Sequence, residues 1–470
     1  MSYLVYLTLV PPIFIGLLLA AWLIIPTKKG NLLLLASLGI PMGFGIISCL
    51  LFLWSFIFSP SFPGFWIIEI LLIGFLFYIN LKNRSEIKYY LPNVKKWSWL
   101  DWLLRLSFIL VALIGILAFM DYVKTNPHGR YDAWAIWNVR ARMIFRGGEN
   151  WKSVFVPQLF HGDYPMLIPF TIAHSWLMAG TESMRIPPMV AFLFTYSIPG
   201  IVTGALLSMG KKQVSWLAGL ILLSTPWLIF FGSVQFSDVP LAANILSASV
   251  CLCMVFMDRE SKLTWAFLAG LFCGLASWTK NEGQLFLLVF IFVVVIGFIF
   301  SFEKCERNKR FLYLAIGLLL PVFVLFLFKF TLAPANDVVD TNNLSPALTN
   351  LTIFSRYSEV LKTMKPYYSI FGGWYGAIPV FFFLCGLVLL PRLTKENKAS
   401  VLSIAAILLL QWTGYFFIYV ITPHDLQTHI NQSYSRLLMH MYPAFILLLF
   451  LFLHPIEKEK GIKEFNHNLT

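Results

Sequence analysis

LRLSFILVALIGILAFMDYVKTNPHGRYDAWAIWNVRARMIFRGG, residues 104–148, passes without a break from hydrocarbon to dense charge. Between Arg105 and Asp121 it carries no charged residue, and a helix over 104–122 crosses about 30 Å of hydrocarbon. Directly behind it stand Arg130, Asp132, Arg140, Arg142 and Arg146, with Trp134 and Trp137 among them. The same alternation of apolar span and short charged loop recurs along the whole chain. Of its 470 residues 59% are hydrophobic and 12% charged, against about 25% charged in an ordinary soluble domain. The mean hydropathy is +0.76. Lipid offers the backbone no hydrogen-bond partners, so such spans must be helices, and the chain reads as an all-α polytopic membrane protein.

Thirteen spans are predicted, near 4–25, 31–58, 64–81, 104–122, 186–208, 213–231, 239–257, 263–278, 285–302, 311–331, 375–391, 400–421 and 439–454. The first lacks a basic leader and a small-residue cleavage site, so it reads as a retained helix. The net charge of +13 would suggest a nucleic-acid partner in a soluble protein. Here it collects in Lys28 and Lys29, 82–96, Lys211 and Lys212, Arg259 and Lys262, 304–310, 392–398 and the tail, on every second crossing. That is the positive-inside pattern, so no nucleic-acid partner is expected; membrane lipids are. The amino terminus is placed outside a plasma or inner membrane and the carboxyl terminus in the cytoplasm. The six cysteines, Cys49, Cys251, Cys253, Cys273, Cys305 and Cys385, show neither metal-ligand spacing nor a disulfide framework.

The remaining loops, 123–185, the turns near Ser233–Asp238 and Lys280–Gln284, 332–374 and 422–438, then share the outer face, and two of them are long enough to expect function. A helix from Tyr131 to Phe145 places Trp134, Trp137, Ala141, Ile144 and Phe145 on one face, with its tryptophans at headgroup depth. Arginines on such a helix can snorkel to lipid phosphate. Asp132 has no such use, and beside guanidiniums it suits a general base next to an anion site. Further along, His161, Asp163 and Tyr164 precede a second apolar run, with Asp163 either a turn residue or part of the same cavity. Asp238 reads as a helix start, with Pro240 in the first turn, or as a second carboxylate of the site. Lys280 and Glu282 fit a polar turn, with Lys280 able to reach phosphate. His424, Asp425 and His429 lack the spacing of metal-binding histidines, and Arg436 stands at the outer end of the last span. Tyr367, Tyr368, Trp374 and Tyr375 offer faces for a sugar or for an interfacial belt.

In order, Tyr131-Asp132-Ala133-Trp134, Asp163-Tyr164-Pro165, Ser237-Asp238-Val239-Pro240-Leu241-Ala242, Thr279-Lys280-Asn281-Glu282-Gly283, and Ser435-Arg436-Leu437-Leu438 before Tyr442-Pro443 resemble the GT-C superfamily. The similarity covers roughly residues 104–454 and is greatest to bacterial glycosyltransferases related to protein O-mannosyltransferases, to the aminoarabinose transferase of lipid A and to the RgtA/B/C/D-like group. It implies transfer of a sugar, with inversion, from a polyprenyl-phosphate donor to a lipid, glycan or protein acceptor outside the membrane. It also implies a first outer loop of juxtamembrane helices bearing a catalytic aspartate, which Asp132 matches. Asp238 matches a second acidic position and Lys280 a lysine near the donor phosphate. The chain would divide into extra amino-terminal helices over 1–103, a GT-C-like module over 104–331, an outer loop over 332–374, carboxyl-terminal helices over 375–454 and a cytoplasmic tail over 455–470. Two departures stand out: many relatives have Asp-Glu where this chain has Asp132-Ala133, and three additional spans precede the loop.

On this reading Asp132 and Asp238 are catalytic. Arg140, Arg142, Lys280 and Arg436 bind the donor phosphate, and His161, Asp163, Tyr164, Glu282 and His424 line the substrate. No cofactor is called for, and a divalent cation is compatible with the scheme without being required. An O-antigen ligase or polymerase and a lipid-linked sugar flippase stay open as alternatives. A transporter would place broken helices and ionisable groups at mid-membrane; Glu69 is the main intramembrane acid here, and no internal repeat is visible. A non-catalytic membrane scaffold also stays open, and binding of a polyprenyl-phosphate sugar would argue against it.

Overall fold

The computed structural model describes residues 3–61, 64–82, 98–257, 263–336, 345–373, 390–391 and 393–454. Helix α1 (Val10–Ile24) lies between two 3₁₀ turns that extend it to Leu4–Thr27, and α2 (Leu32–Ile57) and α3 (Phe65–Lys82) come next. After α4 (Trp99–Thr125) the chain makes α5 (Asn138–Gly147) and the short apolar α6 (Leu167–Ala179). Then come α7 (Ile186–Ser208), α8 (Lys212–Leu223), α9 (Pro226–Ser233), α10 (Asp238–Met257), α11 (Thr264–Thr279), α12 (Asn281–Ser301) and α13 (Lys304–Thr331). Two surface helices, α14 (Ser345–Thr352) and α15 (Phe354–Ile370), precede α16 (Lys398–Ile421) and α17 (Leu426–Phe452). A two-residue antiparallel pairing, Leu390 with His454 and Pro391 with Leu453, ties the chain beyond α17 back to the segment before α16.

Among the described residues ten helices are long and apolar enough to cross a membrane, and each matches a predicted span. The other three predicted spans differ. Residues 213–231 form α8 and α9, bent by 53° at a break, because Pro226 cannot continue the helix and biases Thr225 away from helical dihedrals. The span at 263–278 is the 16-residue α11, buried almost throughout. Most of 375–391, like the tail, lies outside the described residues. The final helix begins 13 residues before the predicted 439, with Asp425 accepting from Thr428 N–H (2.9 Å) as its cap. Those hydrogen bonds hold the Asp425 carboxyl below its ordinary range.

The core is centred on α10, buried along its full length but for Met257 and packed by α7, α11 and α17. At the periphery α3 and α4 leave most of their apolar surface exposed, as helices facing lipid do. Glu69, the one acid on α3, is buried against His174 of α6 (2.8 Å). Small residues bring α1 and α2 together. A Cβ on Gly43 would lie 1.9 Å from the Pro12 carbonyl oxygen, a close backbone approach of the small-xxx-small kind. Replacing Gly43 by valine should therefore cost at least about 1–3 kcal/mol by overpacking, seen as a lower midpoint of thermal unfolding in detergent.

The two ends of the bundle differ. One holds Lys28, Lys211, Lys212, the Lys304–Arg310 segment and Lys398. There Lys211 Nζ donates to the carbonyls of Phe450 (3.0 Å), Leu451 (2.9 Å) and Leu453 (3.1 Å), closing the carboxyl end of α17; burial pushes its ammonium down to about 8. The other end gathers the close of α4, α5, the starts of α10 and α12 and the first turns of α17.

Candidate active site

At that second end the fold assembles an ion-pair cluster. Asp238, the first residue of α10, has no exposed surface. Its Oδ1 accepts from Lys280 Nζ (3.0 Å) and from His440 Nε2 (2.7 Å), and its Oδ2 from Arg436 Nε (3.2 Å) and Nη2 (3.1 Å). Lys280 is a one-residue extended corner between α11 and α12, which turns its side chain inward between Asp238 and Glu282 Oε1 (2.8 Å). Arg436 lies in the third turn of α17 rather than at the helix end predicted for it. It stacks its guanidinium 4.7 Å from the centre of the Phe236 ring and reaches Asp132 Oδ2 with Nη2 at 2.6 Å. Among the described residues its remaining nitrogen, Nη1, meets no partner, and the side chain is 16% exposed.

Asp132 gets there by local backbone geometry. Gly129, at φ +71°, lets the chain pass so close to the α9–α10 turn that a Cβ would meet the Val234 carbonyl oxygen at 2.5 Å. The Arg130 N–H then donates to that same oxygen (3.3 Å). The expected helix does start at Tyr131, but its first turn, Ala133–Trp137, is a π turn. The wider turn shifts the phase of the residues after it, so Trp134 is 48% exposed while Trp137, Ala141 and Ile144 are buried. The predicted placement at headgroup depth is thus corrected for Trp137, which is buried, and α5 packs on α6 inside the protein. π turns often mark functional sites, and this one directly follows Asp132.

Several predicted site residues lie elsewhere. Arg140 is 1% exposed, and its guanidinium donates to the carbonyls of Tyr164 (3.2 Å), Phe160 (3.1 Å) and His161. Burial pushes it down to about 10. It clamps the 160–164 loop through those three carbonyls. Arg142 lies beside Glu182 (3.5 Å), which Arg146 also pairs, and against Trp176. Arg142→Ala is expected to lower the midpoint of thermal unfolding only slightly, since a partly exposed ion pair contributes about 0–1 kcal/mol.

Asp163 stands in the 161–164 turn, as one of its two expected readings had it, and its side chain is also tied into a polar cluster. Buried at 2% exposure, its Oδ2 accepts from Asn281 (2.6 Å), Asn336 (2.7 Å) and Lys329 (3.4 Å). Asn281 sits between Lys280 and Glu282, so this second cluster is joined to the first by the same turn. His161, at φ +49°, stacks on Tyr164 (4.8 Å), which stacks on Trp137 (5.7 Å) and lies 5.9 Å from Lys280 Nζ. His424 is exposed at the α16–α17 turn, its ring against His429; the helical rise from Leu426 to Arg436 alone is roughly 15 Å, so it stands apart from the cluster. Tyr367 and Tyr368 belong to α15, bonded to Asn431 (2.9 Å) and Tyr434 (2.6 Å). Trp374 and Tyr375 lie outside the described residues. Among the described residues no three His, Cys, Asp or Glu side chains come together as metal ligands do.

Sequence reasoning missed His440 and Tyr415, because both are embedded in apolar helices. The signal available was spacing: His440 follows Arg436 by four residues, so a helix puts both on one face.

A match to a known family covers Asp163, Asp238, Lys280, Glu282 and Lys329 of these clusters. Residues 154–335 match the model of the dolichyl-phosphate-mannose-protein mannosyltransferase family, a GT-C family. No curated protein and no solved structure matches the chain at a significant level. The matched segment contains α6 to α13 and thereby Asp238, Lys280 and Glu282, and Asp132, Arg436 and His440 lie on either side of it. The chain is therefore a multi-pass membrane protein that is similar, over residues 154–335, to a glycosyltransferase family.

Proposed function

We propose that the protein transfers a sugar from a polyprenyl-phosphate donor to an acceptor on the outer face of the membrane, by a single inverting displacement with Asp132 as general base. The observation that carries this reading is the Arg436 guanidinium, which holds Asp132 and Asp238 through Nε and Nη2 and leaves Nη1 without a partner among the described residues, in a side chain that is 16% exposed. A donor phosphate seated on Nη1 would stand beside the carboxylate that Nη2 orients, one guanidinium setting the distance between leaving group and base.

The acceptor oxygen bonds to the anomeric carbon as the bond to the phosphate oxygen breaks. The acceptor proton passes to Asp132, and the polyprenyl phosphate leaves with the electron pair. Asp132 suits the role because its side chain is 18% exposed and, among the described residues, meets one cation. Asp238 is enclosed and bonded on both oxygens, so we assign it the holding of Arg436 and Lys280 in place. That narrows the two catalytic aspartates expected from sequence to one. Preorganised cations at a partly desolvated site act most strongly on charge that develops during reaction.

The family's name makes a mannosyl donor and a protein acceptor the first pair to test. The outer-face assignment rests on the described basic residues Lys28, Lys211, Lys212, Lys304–Arg310 and Lys398, which lie at the end of the bundle away from the cluster. The deciding experiment supplies purified protein in vesicles with polyprenyl-phosphate mannose and candidate acceptors. Mannose transfer with inverted anomeric configuration is expected, and a product of retained configuration would overturn the mechanism.

A further inference from the structure

Asp238 has a third partner that the displacement scheme does not use. His440 of α17 is fully buried, as is Tyr415 of α16. The Tyr415 hydroxyl lies 3.0 Å from His440 Nδ1, and His440 Nε2 lies 2.7 Å from Asp238 Oδ1. We infer that His440, fixed by Tyr415, is a neutral positioning residue that sets the orientation of Asp238 and, through Arg436, that of Asp132. This role presupposes the transferase reading.

Donors and acceptors must match along the chain of contacts. A carboxylate accepts only, so the imidazole nitrogen facing Asp238 must carry hydrogen. A phenol facing the other ring nitrogen donates to a neutral imidazole, since an imidazolium would present N–H to it instead. The chain Tyr415 O–H to Nδ1, then Nε2–H to Asp238, is therefore internally consistent with His440 uncharged.

Charge points the same way. Around His440 stand Asp238, Glu282, Lys280, Arg436 and Tyr415, and Asp238 already has two cations. What Asp238 Oδ1 receives from His440 is direction. Lys280 Nζ is a rotatable point donor, whereas a ring held at both nitrogens has one orientation. A carboxylate pinned in this way presents Oδ2 to Arg436 in one geometry, and misplacement by an ångström of a group remote from the chemistry can cost about 10²-fold in rate.

The test separates donor polarity from proton transfer. Glutamine at 440 can donate to Asp238 and accept from Tyr415 but cannot carry a proton between them; leucine can do neither. In reconstituted protein, with melting temperature recorded for each variant, His440→Gln is expected to keep kcat within about fivefold of the parent. His440→Leu is expected to lose about 10- to 100-fold in kcat, the range seen when an orienting partner is removed, with donor KM changed less than about threefold because Arg436 Nη1 remains. Parental kcat in His440→Leu would overturn the inference. So would an equal loss in folded His440→Gln, which would make the imidazole a proton carrier. Failure of the transferase reading looks different: no sugar is then transferred by the parent protein, whatever stands at 440.

Discussion

Exchanging Asp132 for asparagine is expected to lower kcat by about 10²- to 10⁴-fold, the usual contribution of a positioned base, while the protein still folds and binds donor. Asparagine keeps the shape and can still accept from Arg436, so stability should change little. It cannot take the acceptor proton. Transfer in vesicles, together with donor binding measured directly, checks both halves. Near-parental transfer by Asp132→Asn would remove the general base from the mechanism and reopen the ligase alternative.

Arg436→Met should be more damaging, because it acts on stability and activity at once. Methionine preserves much of the apolar stem but leaves the buried Asp238 with Lys280 and His440 alone. Breaking one side of a buried pair costs about 3–5 kcal/mol. Expression and thermal midpoint should fall, and the folded fraction should show a raised donor KM as well as a lost kcat, since both the phosphate seat and the orientation of Asp132 go together. A folded Arg436→Met protein with unchanged donor KM would show that the phosphate binds elsewhere.

The elements legible in the sequence were those set by composition over a full span. A lipid-crossing helix must be apolar for about 20 residues, so α1 to α4, α7, α10, α12, α13 and α16 announce themselves. What escaped depended on tertiary context. The 13-residue α6 is too short to look like a span, and its burial comes from neighbours on α2, α5 and α7. The early start of α17 was hidden because its first three turns are polar enough to read as loop.

In the site, Asp132, Asp238, Lys280, Glu282 and Arg436 were singled out because charge beside an apolar span is conspicuous. Their pairing was not readable, since Arg436 and Asp238 are brought together across 198 positions. The roles of Arg140 and Arg142 could not be separated by helical projection, because the π turn at Ala133–Trp137 offsets the phase on which projection depends.

The sharing of one guanidinium between two carboxylates has a consequence for how this site can change over time. Asp132 and Asp238 sit on elements roughly a hundred residues apart along the sequence, yet neither can drift without altering the partner's footing on Arg436. Substitutions at the three positions should therefore be strongly epistatic, each tolerated only in the company of the others. Change is easier at exposed residues beside Asp132 in the chain, such as Tyr131 and Trp134, whose rings pack on each other and, for Tyr131, on Phe160.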